Sequence, residues 1–432
     1  MERSSFARTL VWTLIAAAFI GPGTVTTAFN VGSYQGSGYF IWALLAAGAG
    51  YFLMEMSARI TLVSQQSLGQ LIGRRYRWLA MLCLFAVCLG CLAYQAGNLL
   101  GALSGLELFL PGLPRYWVIA LGALAAVVLN LGDTRKIGRV LGVVVAVMGV
   151  VFVVAAVLAL TSGNLDATAE RRGSTGAILA LVGTTIVPYN FFLAAGLTQG
   201  QQLGEMRKGL LGAFGLGALI TMAIIVVGST TDSFAGFDQM AGALEAGLGS
   251  WSKVVIGAGL LAAGLSSAIT APLAAAIAGR ELIGNREAAD WSPKGKFFRG
   301  LWVTVLSVGV LVACLDLNII GVIVSAQVAN GLLLPLVVLI VLFFANDRQL
   351  LGPEVNPWWQ TALGILIALY LTFSAATVIS SKVQQWRGVP FEETNFELLY
   401  AVVMIIMSVA ASIIWRRRNT KTALANTPER EP

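Results

Sequence analysis

No histidine occurs among the 432 residues, and only 11% of them are charged. The missing imidazole removes the commonest neutral metal ligand, the usual proton carrier near neutral pH and every histidine-dependent catalytic triad. Gly36-Ser37-Gly38 therefore reads as a turn and not as a nucleophile motif. The shortage of charge excludes a water-soluble globule, since soluble domains carry about a quarter charged residues. Cysteine is scarce too: Cys83, Cys88, Cys91 and Cys314 all fall inside apolar runs. Cys88 and Cys91 share a helical face, but a zinc or redox centre needs more ligands, and small residues for close helix packing is the simpler reading. No segment is long and polar enough for a soluble domain, and no cofactor is expected.

What the chain has instead is apolar length. Hydrophobic residues make up 57% of it, in recurring runs of about 20 residues, the span an α-helix needs to cross the hydrocarbon core. A barrel would show short alternating segments. About twelve helical spans are expected, the first over about 10–32 and the sixth over about 176–198, in one transmembrane domain covering 1–415 with a charged tail at 416–432. The first run outlasts a signal peptide and lacks an A-x-A-like cleavage site, so it reads as a retained helix. With both termini placed in the cytoplasm, most Lys and Arg, including Arg74, Arg75, Arg77 and Arg416 to Arg418, fall inside, while acidic residues divide evenly. The net charge of +7 thus reports topology in a plasma (inner) membrane and contact with the lipid bilayer, with no need for nucleic acid. Oligomeric state is not legible.

Two runs break the helical pattern alike. The first carries Gly21-Pro22-Gly23-Thr24 near its middle; the sixth carries Thr184-Thr185-Ile186-Val187-Pro188-Tyr189-Asn190. Proline removes a backbone donor and clashes with the preceding turn. Backbone unwound in hydrocarbon survives only where it is buried in protein or lines a cavity. The offset between Pro22 and Pro188 fits two five-helix halves, about 10–161 and 176–345, followed by two extra C-terminal helices at about 358–415. An odd number of helices per half inverts the second relative to the first. The expected class is an all-α integral membrane protein with a LeuT-type fold: two inverted repeats whose broken first helices flank a midplane substrate site. That implies a secondary transporter working by alternating access, and not an enzyme.

The motifs resemble those of the Nramp (natural resistance-associated macrophage protein) family of divalent-metal transporters. Its first helix carries Asp-Pro-Gly-Asn, then a Gly-Tyr turn and a second helix ending in Ser-Ala-Arg; here stand Gly21-Pro22-Gly23-Thr24, Gly38-Tyr39 and Ser57-Ala58-Arg59. Its Ala-x-x-Met-Pro-His-Asn corresponds to Thr184 through Asn190, its eighth-helix motif to Gly264-Leu265-Ser266-Ser267, and its tenth-helix Gln, eight before Pro, to Gln327 and Pro335. The resemblance implies a divalent-cation substrate (Mn, Fe or Mg) at Gly21, Thr24, Thr184, Val187 and Gln327, with Tyr189 and Asn190 beside them. The chain departs from the family where the chemistry lies. Gly21 and Val187 replace the anionic and soft-sulfur ligands, the family's two sixth-helix histidines fall on Tyr189 and Ala194, and its third-helix acids fall near Leu92 and on Gln95. A dehydrated divalent ion needs negative charge or many oxygens, and without sulfur no preference for soft metals over Mg²⁺ or Ca²⁺ remains. No proton wire is evident. Two other readings stay open: a carrier of a small polar or zwitterionic solute such as an amino acid, held at Thr26, Thr27, Tyr189 and Asn190 by the positive ends of the half-helices, and a membrane binding or sensing protein that does not transport.

Three smaller expectations complete the reading. Glu55 and Arg59, four apart, form a structural ion pair near the cytoplasmic end of the second helix. Asp133, Asp232 and Asp316 lie solvated at span ends. Tyr94, Gln95 and Asn98 on the third span either face the cavity or bond neighbouring helices.

Overall fold

The computed structural model describes residues 20–131, 134–162, 174–192, 201–284, 288–387 and 396–419. The expected start of the first span, the end of the sixth with Ala194, Asp133, and the tail beyond 419 lie outside them. The described residues form fifteen α-helices and no strand. In order these are α1 (Pro22–Gln35), α2 (Phe40–Ser64), α3 (Leu68–Arg75), α4 (Arg77–Glu107), α5 (Trp117–Leu131), α6 (Thr134–Ser162), α7 (Thr175–Thr185), α8 (Leu203–Gly228), α9 (Phe237–Leu248), α10 (Trp251–Leu282), α11 (Lys296–Cys314), α12 (Ile319–Ala345), α13 (Arg348–Leu351), α14 (Trp358–Arg387) and α15 (Phe396–Asn419). Among the described residues nine helices are long and apolar enough to cross a membrane. The three other expected spans correspond to α1, α5 and α6, shorter in their described or apolar lengths.

The bundle wears its apolar residues outside as well as inside. Leu45, Phe85, Val127, Val150, Leu366 and Ile405 are exposed on the helix flanks, as lipid requires and water would not tolerate in such number. Trp78, Trp117, Trp251, Trp358 and Trp386 are exposed at helix ends, where an indole's apolar body and polar N–H suit the membrane interface.

Burial of apolar surface cannot drive helices together in lipid, so close packing must. The longest seam joins α4 to α10, where Gly264 lies against the backbone of Ala102 and Gly105 against Gly257 and Leu261. On α1 and α8, Gly32 abuts the Ile225 carbonyl, and Gly228 the backbone of Phe29. A side chain at any of these positions would hold the backbones apart. Gly36, at φ 88°, ends α1 in a conformation that L side chains rarely adopt, and its N–H bonds the Gly32 carbonyl at 2.9 Å.

Ion pairs gather at the end of the bundle that carries the arginine-rich α15 terminus. Glu55 meets Arg59 at 3.3 Å, as the i,i+4 spacing implies, and also Arg207 of α8 at 2.9 Å. Arg59 donates further to the Glu354 carbonyl and to Gln360 Oε1 at 3.2 Å, tying α2 to the segment entering α14. Asp347 pairs with Arg417 at 2.9 Å and Arg75 at 3.5 Å. At the opposite end Asp232 and Asp316 are exposed, as expected.

Candidate functional site

At both sequence breaks the described backbone leaves helical geometry, while the halves that would precede Ile20 and follow Phe192 lie outside the described residues. Gly21 is extended (φ −93°, ψ 175°) and Pro22 opens α1, where a missing N–H goes unmissed. The Gly21 carbonyl is not freed, as the break alone suggests: it accepts from the Thr24 and Val25 N–H groups at 3.1 and 3.2 Å. At the second break α7 stops at Thr185, and Ile186 is extended (φ −111°, ψ 90°). Pro188 has no N–H to offer Thr184, four residues back, so this carbonyl lacks its helical donor. The chain then turns through Val187 to Asn190, the Asn190 N–H reaching the Val187 carbonyl at 3.0 Å.

The two breaks touch. Thr24 Oγ1 and Thr184 Oγ1 stand 2.9 Å apart in a buried hydrogen bond spanning 160 residues of sequence. Gln327 of α12 reaches the same place because Gly23 has no side chain; a Cβ there would fall on the Gln327 amide. Gly183 in turn lets α7 lie directly on the Gln327 and Gly331 backbone. From α4, the Tyr94 hydroxyl bonds both Gln327 Oε1 and the Gly183 carbonyl, the latter at 3.0 Å. Four helices thus converge on one knot of neutral oxygens and amides, closed by its own hydrogen bonds.

The other candidates sit around this knot. Gly21 faces Ser267 of α10, where a Cβ would stand 3.0 Å from Ser267 Oγ. Tyr189 sets its ring edge-on to Tyr94, centroids 6.0 Å apart. Val187 is buried in the apolar cluster, while Asn190 is buried with Oδ1 lacking a protein partner. Thr26 and Thr27 are likewise buried with unpartnered hydroxyls. The three polar residues of the third span separate: Tyr94 joins the knot, Gln95 turns away to bond the Ala268 carbonyl at 3.0 Å, and Asn98 keeps Nδ2 unpartnered. Tyr94 and Gln327 are the residues of the knot that lie outside the two breaks. Polar character on α4 was the signal for Tyr94 and the family motif for Gln327, while Gly183 opens the second break in the sequence.

Among the described residues no group of three His, Cys, Asp or Glu could hold a metal ion. Any cation at the knot would meet hydroxyl, carboxamide and carbonyl oxygens only, a set suited to a hard or partly hydrated ion and not to a soft one. The same oxygens and amide would also bond a polar organic group.

Residues 13–381 match the profile of the natural resistance-associated macrophage protein-like family. The chain belongs to the Nramp family. It is 26% identical over 391 residues to the divalent metal cation transporter MntH of Deinococcus radiodurans, covering 83% of this chain and 86% of that protein. Against MntH 1 of Pseudomonas aeruginosa it is 25% identical over 407 residues, covering 83% and 89%. The fold matches the crystal structure of a mutant of the Eremococcus coleocola manganese transporter (TM-score 0.73, 18% identity, 97% and 95% covered). It also matches the nucleobase-cation-symport-1 family transporter Mhp1 with bromovinylhydantoin bound (TM-score 0.50, 16% identity, 95% and 91% covered). This Nramp-family chain is an all-α integral membrane protein of the LeuT-type fold, and the family is one of transporters and not of enzymes.

Proposed function

We propose that the chain is a secondary transporter that moves a divalent metal cation (Mn, Fe or Mg) by alternating access through the crossing of the two broken helices. Membership of the Nramp family supports the substrate class, and the MntH relatives are named for divalent-cation transport. The observation that carries the site is the Thr24 to Thr184 hydrogen bond, which joins the breaks of the two halves at one point. In this reading repeat one covers about 10–161 and repeat two about 176–345, with extra helices at about 358–415. Thr24, Thr184 and Gln327 hold the ion through oxygens, and Gly21, Val187, Tyr189 and Asn190 shape the space around them. The ion keeps part of its water, because Gly21 and Val187 supply neither charge nor sulfur.

The plasma membrane, with both termini cytoplasmic, fits the arginines at the α15 end. A second reading, carriage of a small polar or zwitterionic solute, draws on the unpartnered Thr26, Thr27 and Asn190 oxygens and on the absence, among the described residues, of a buried acid at the crossing. Flux of Mn²⁺, Mg²⁺, Ca²⁺ and a panel of amino acids into proteoliposomes separates the readings. Divalent flux supports the first; amino-acid flux without divalent flux supports the second; a folded chain that binds but moves neither favours a sensor.

A further inference from the structure

The negative charge missing from the crossing reappears at one mouth of the bundle. Away from the arginine-rich end, a cavity of about 420 Å³ opens between the last turn of α4, the start of α9 and the α11–α12 connection. Glu107, Asp238 and Asp316 line it, with Arg115 as the one cationic side chain among the described residues that do so. Arg115 is largely committed elsewhere: it donates to the Leu315 and Leu317 carbonyls, the latter at 2.8 Å, and meets Asp316 at 3.7 Å. Glu107 and Asp238 have no ion pair among the described residues, though Arg115 lies close enough to attract Glu107, and the three carboxylates outnumber the one cation among the described lining residues. Ser104 also lines it, one helical turn below Glu107, 3% exposed and with a hydroxyl that no protein group bonds.

This mouth is connected to the crossing by one helix face. Glu107, Ser104, Gly101, Asn98 and Tyr94 recur at spacings of three and four along α4, the period of a single face. At Gly101 that face receives Pro22, the first residue of α1, and at Tyr94 it meets Gln327. From Glu107 to Tyr94 the rise is roughly 20 Å. Asn98 Nδ2 and Ser104 Oγ, both buried and unpartnered, lie between.

We infer that this cavity is a capture site for a hydrated divalent cation, which Glu107 and Asp238 concentrate at the mouth before it descends the polar face of α4 to the crossing. The inference rests on the transport reading above and deepens it. The carboxylates do not converge closely enough to hold a bare ion, and they need not: a mouth lined with one sign of charge raises local counter-ion concentration and association rate. Residence there is weak, and the ion stays in its first water shell, the form a neutral crossing can accept.

The test uses the full-length chain in liposomes and Mn²⁺ as probe. Water-soluble carbodiimide labelling, read by mass spectrometry, should show Glu107 and Asp238 protected by millimolar Mn²⁺ but not by KCl of equal ionic strength. Protection no better than that of KCl overturns the inference, whatever the chain transports. In uptake, Glu107→Gln with Asp238→Asn should raise the KM for Mn²⁺ by roughly tenfold at low salt, with maximal rate within about twofold of wild type and a flattened salt dependence. An unchanged KM at low salt also overturns it. Protection at the mouth together with no divalent flux by the wild type would instead defeat the transport reading and leave the capture site standing.

Discussion

Gly23 and Gln327 share one space. A methyl at position 23 would occupy the room of the Gln327 amide, so Gly23→Ala should push that amide off Tyr94 and lower uptake at least roughly tenfold, the loss expected from about 1.4 kcal/mol of mispositioning. Proteoliposome flux beside an unchanged gel-filtration profile checks this, and normal flux would mean Gln327 has no part in the path. Tyr94→Phe leaves Gln327 Oε1 and the Gly183 carbonyl without their buried donor. That should destabilise the fold by about 1–3 kcal/mol, seen as a lowered melting temperature in detergent. The sequence named Thr24, Thr184 and Gln327 from their motifs; Thr24 and Thr184 bond each other, and Gln327 lies against Gly23 and bonds Tyr94. It could not choose among Tyr94, Gln95 and Asn98, because the helix period assigns faces only once neighbours are known, and α10 claims Gln95 through Ala268.

At the scale of elements, backbone proximity sets the architecture. Gly264→Val would drive a branched side chain into the backbone of Ala102. It should separate α4 from α10 and lower thermal stability by about 1–3 kcal/mol or abolish folding, the usual penalty of overpacking. An unchanged melting curve would show that the seam has slack. The long spans were legible because apolar runs of bilayer length have few alternatives. Short elements were not. The helix α3 opens with a capping box in which the Ser67 hydroxyl accepts from Gln70 N–H, and the Gln70 side chain accepts from Ser67 N–H. That Ser-x-x-Gln signal was readable but was hidden between two apolar runs. The mouth was missed for another reason: Glu107, Asp238 and Asp316 are far apart in sequence, and only the fold brings α4, α9 and the α11–α12 connection to one cavity.

For the whole molecule, the two ends of the bundle hold charge differently. At the arginine-rich end Glu55, Arg59 and Asp347 are buried and paired, while Arg74, Arg75 and Arg77 are exposed. Arg59 and Glu55 are 2% and 6% exposed, and removing one partner of such a pair typically costs about 3–5 kcal/mol. Arg59→Ala should therefore unfasten α2 from the segment before α14 and reduce melting temperature sharply, while Arg207→Ala, whose side chain is 44% exposed, should reduce it much less. Equal losses would contradict this division of labour. At the other end Asp316 meets Arg115, while Glu107 and Asp238 have no ion pair among the described residues. Among the described residues, buried paired charge at one end, a surplus of carboxylates at the other and neutral oxygens at the crossing divide the charge along the bundle. The most direct test is Mn²⁺ uptake into proteoliposomes by the wild type and by Thr24→Val with Thr184→Val, which removes the hydroxyls joining the breaks while keeping their volume. Saturable wild-type uptake that falls at least roughly tenfold in the folded double variant is the predicted result; uptake equal in the two would put the substrate path somewhere other than the crossing of the broken helices.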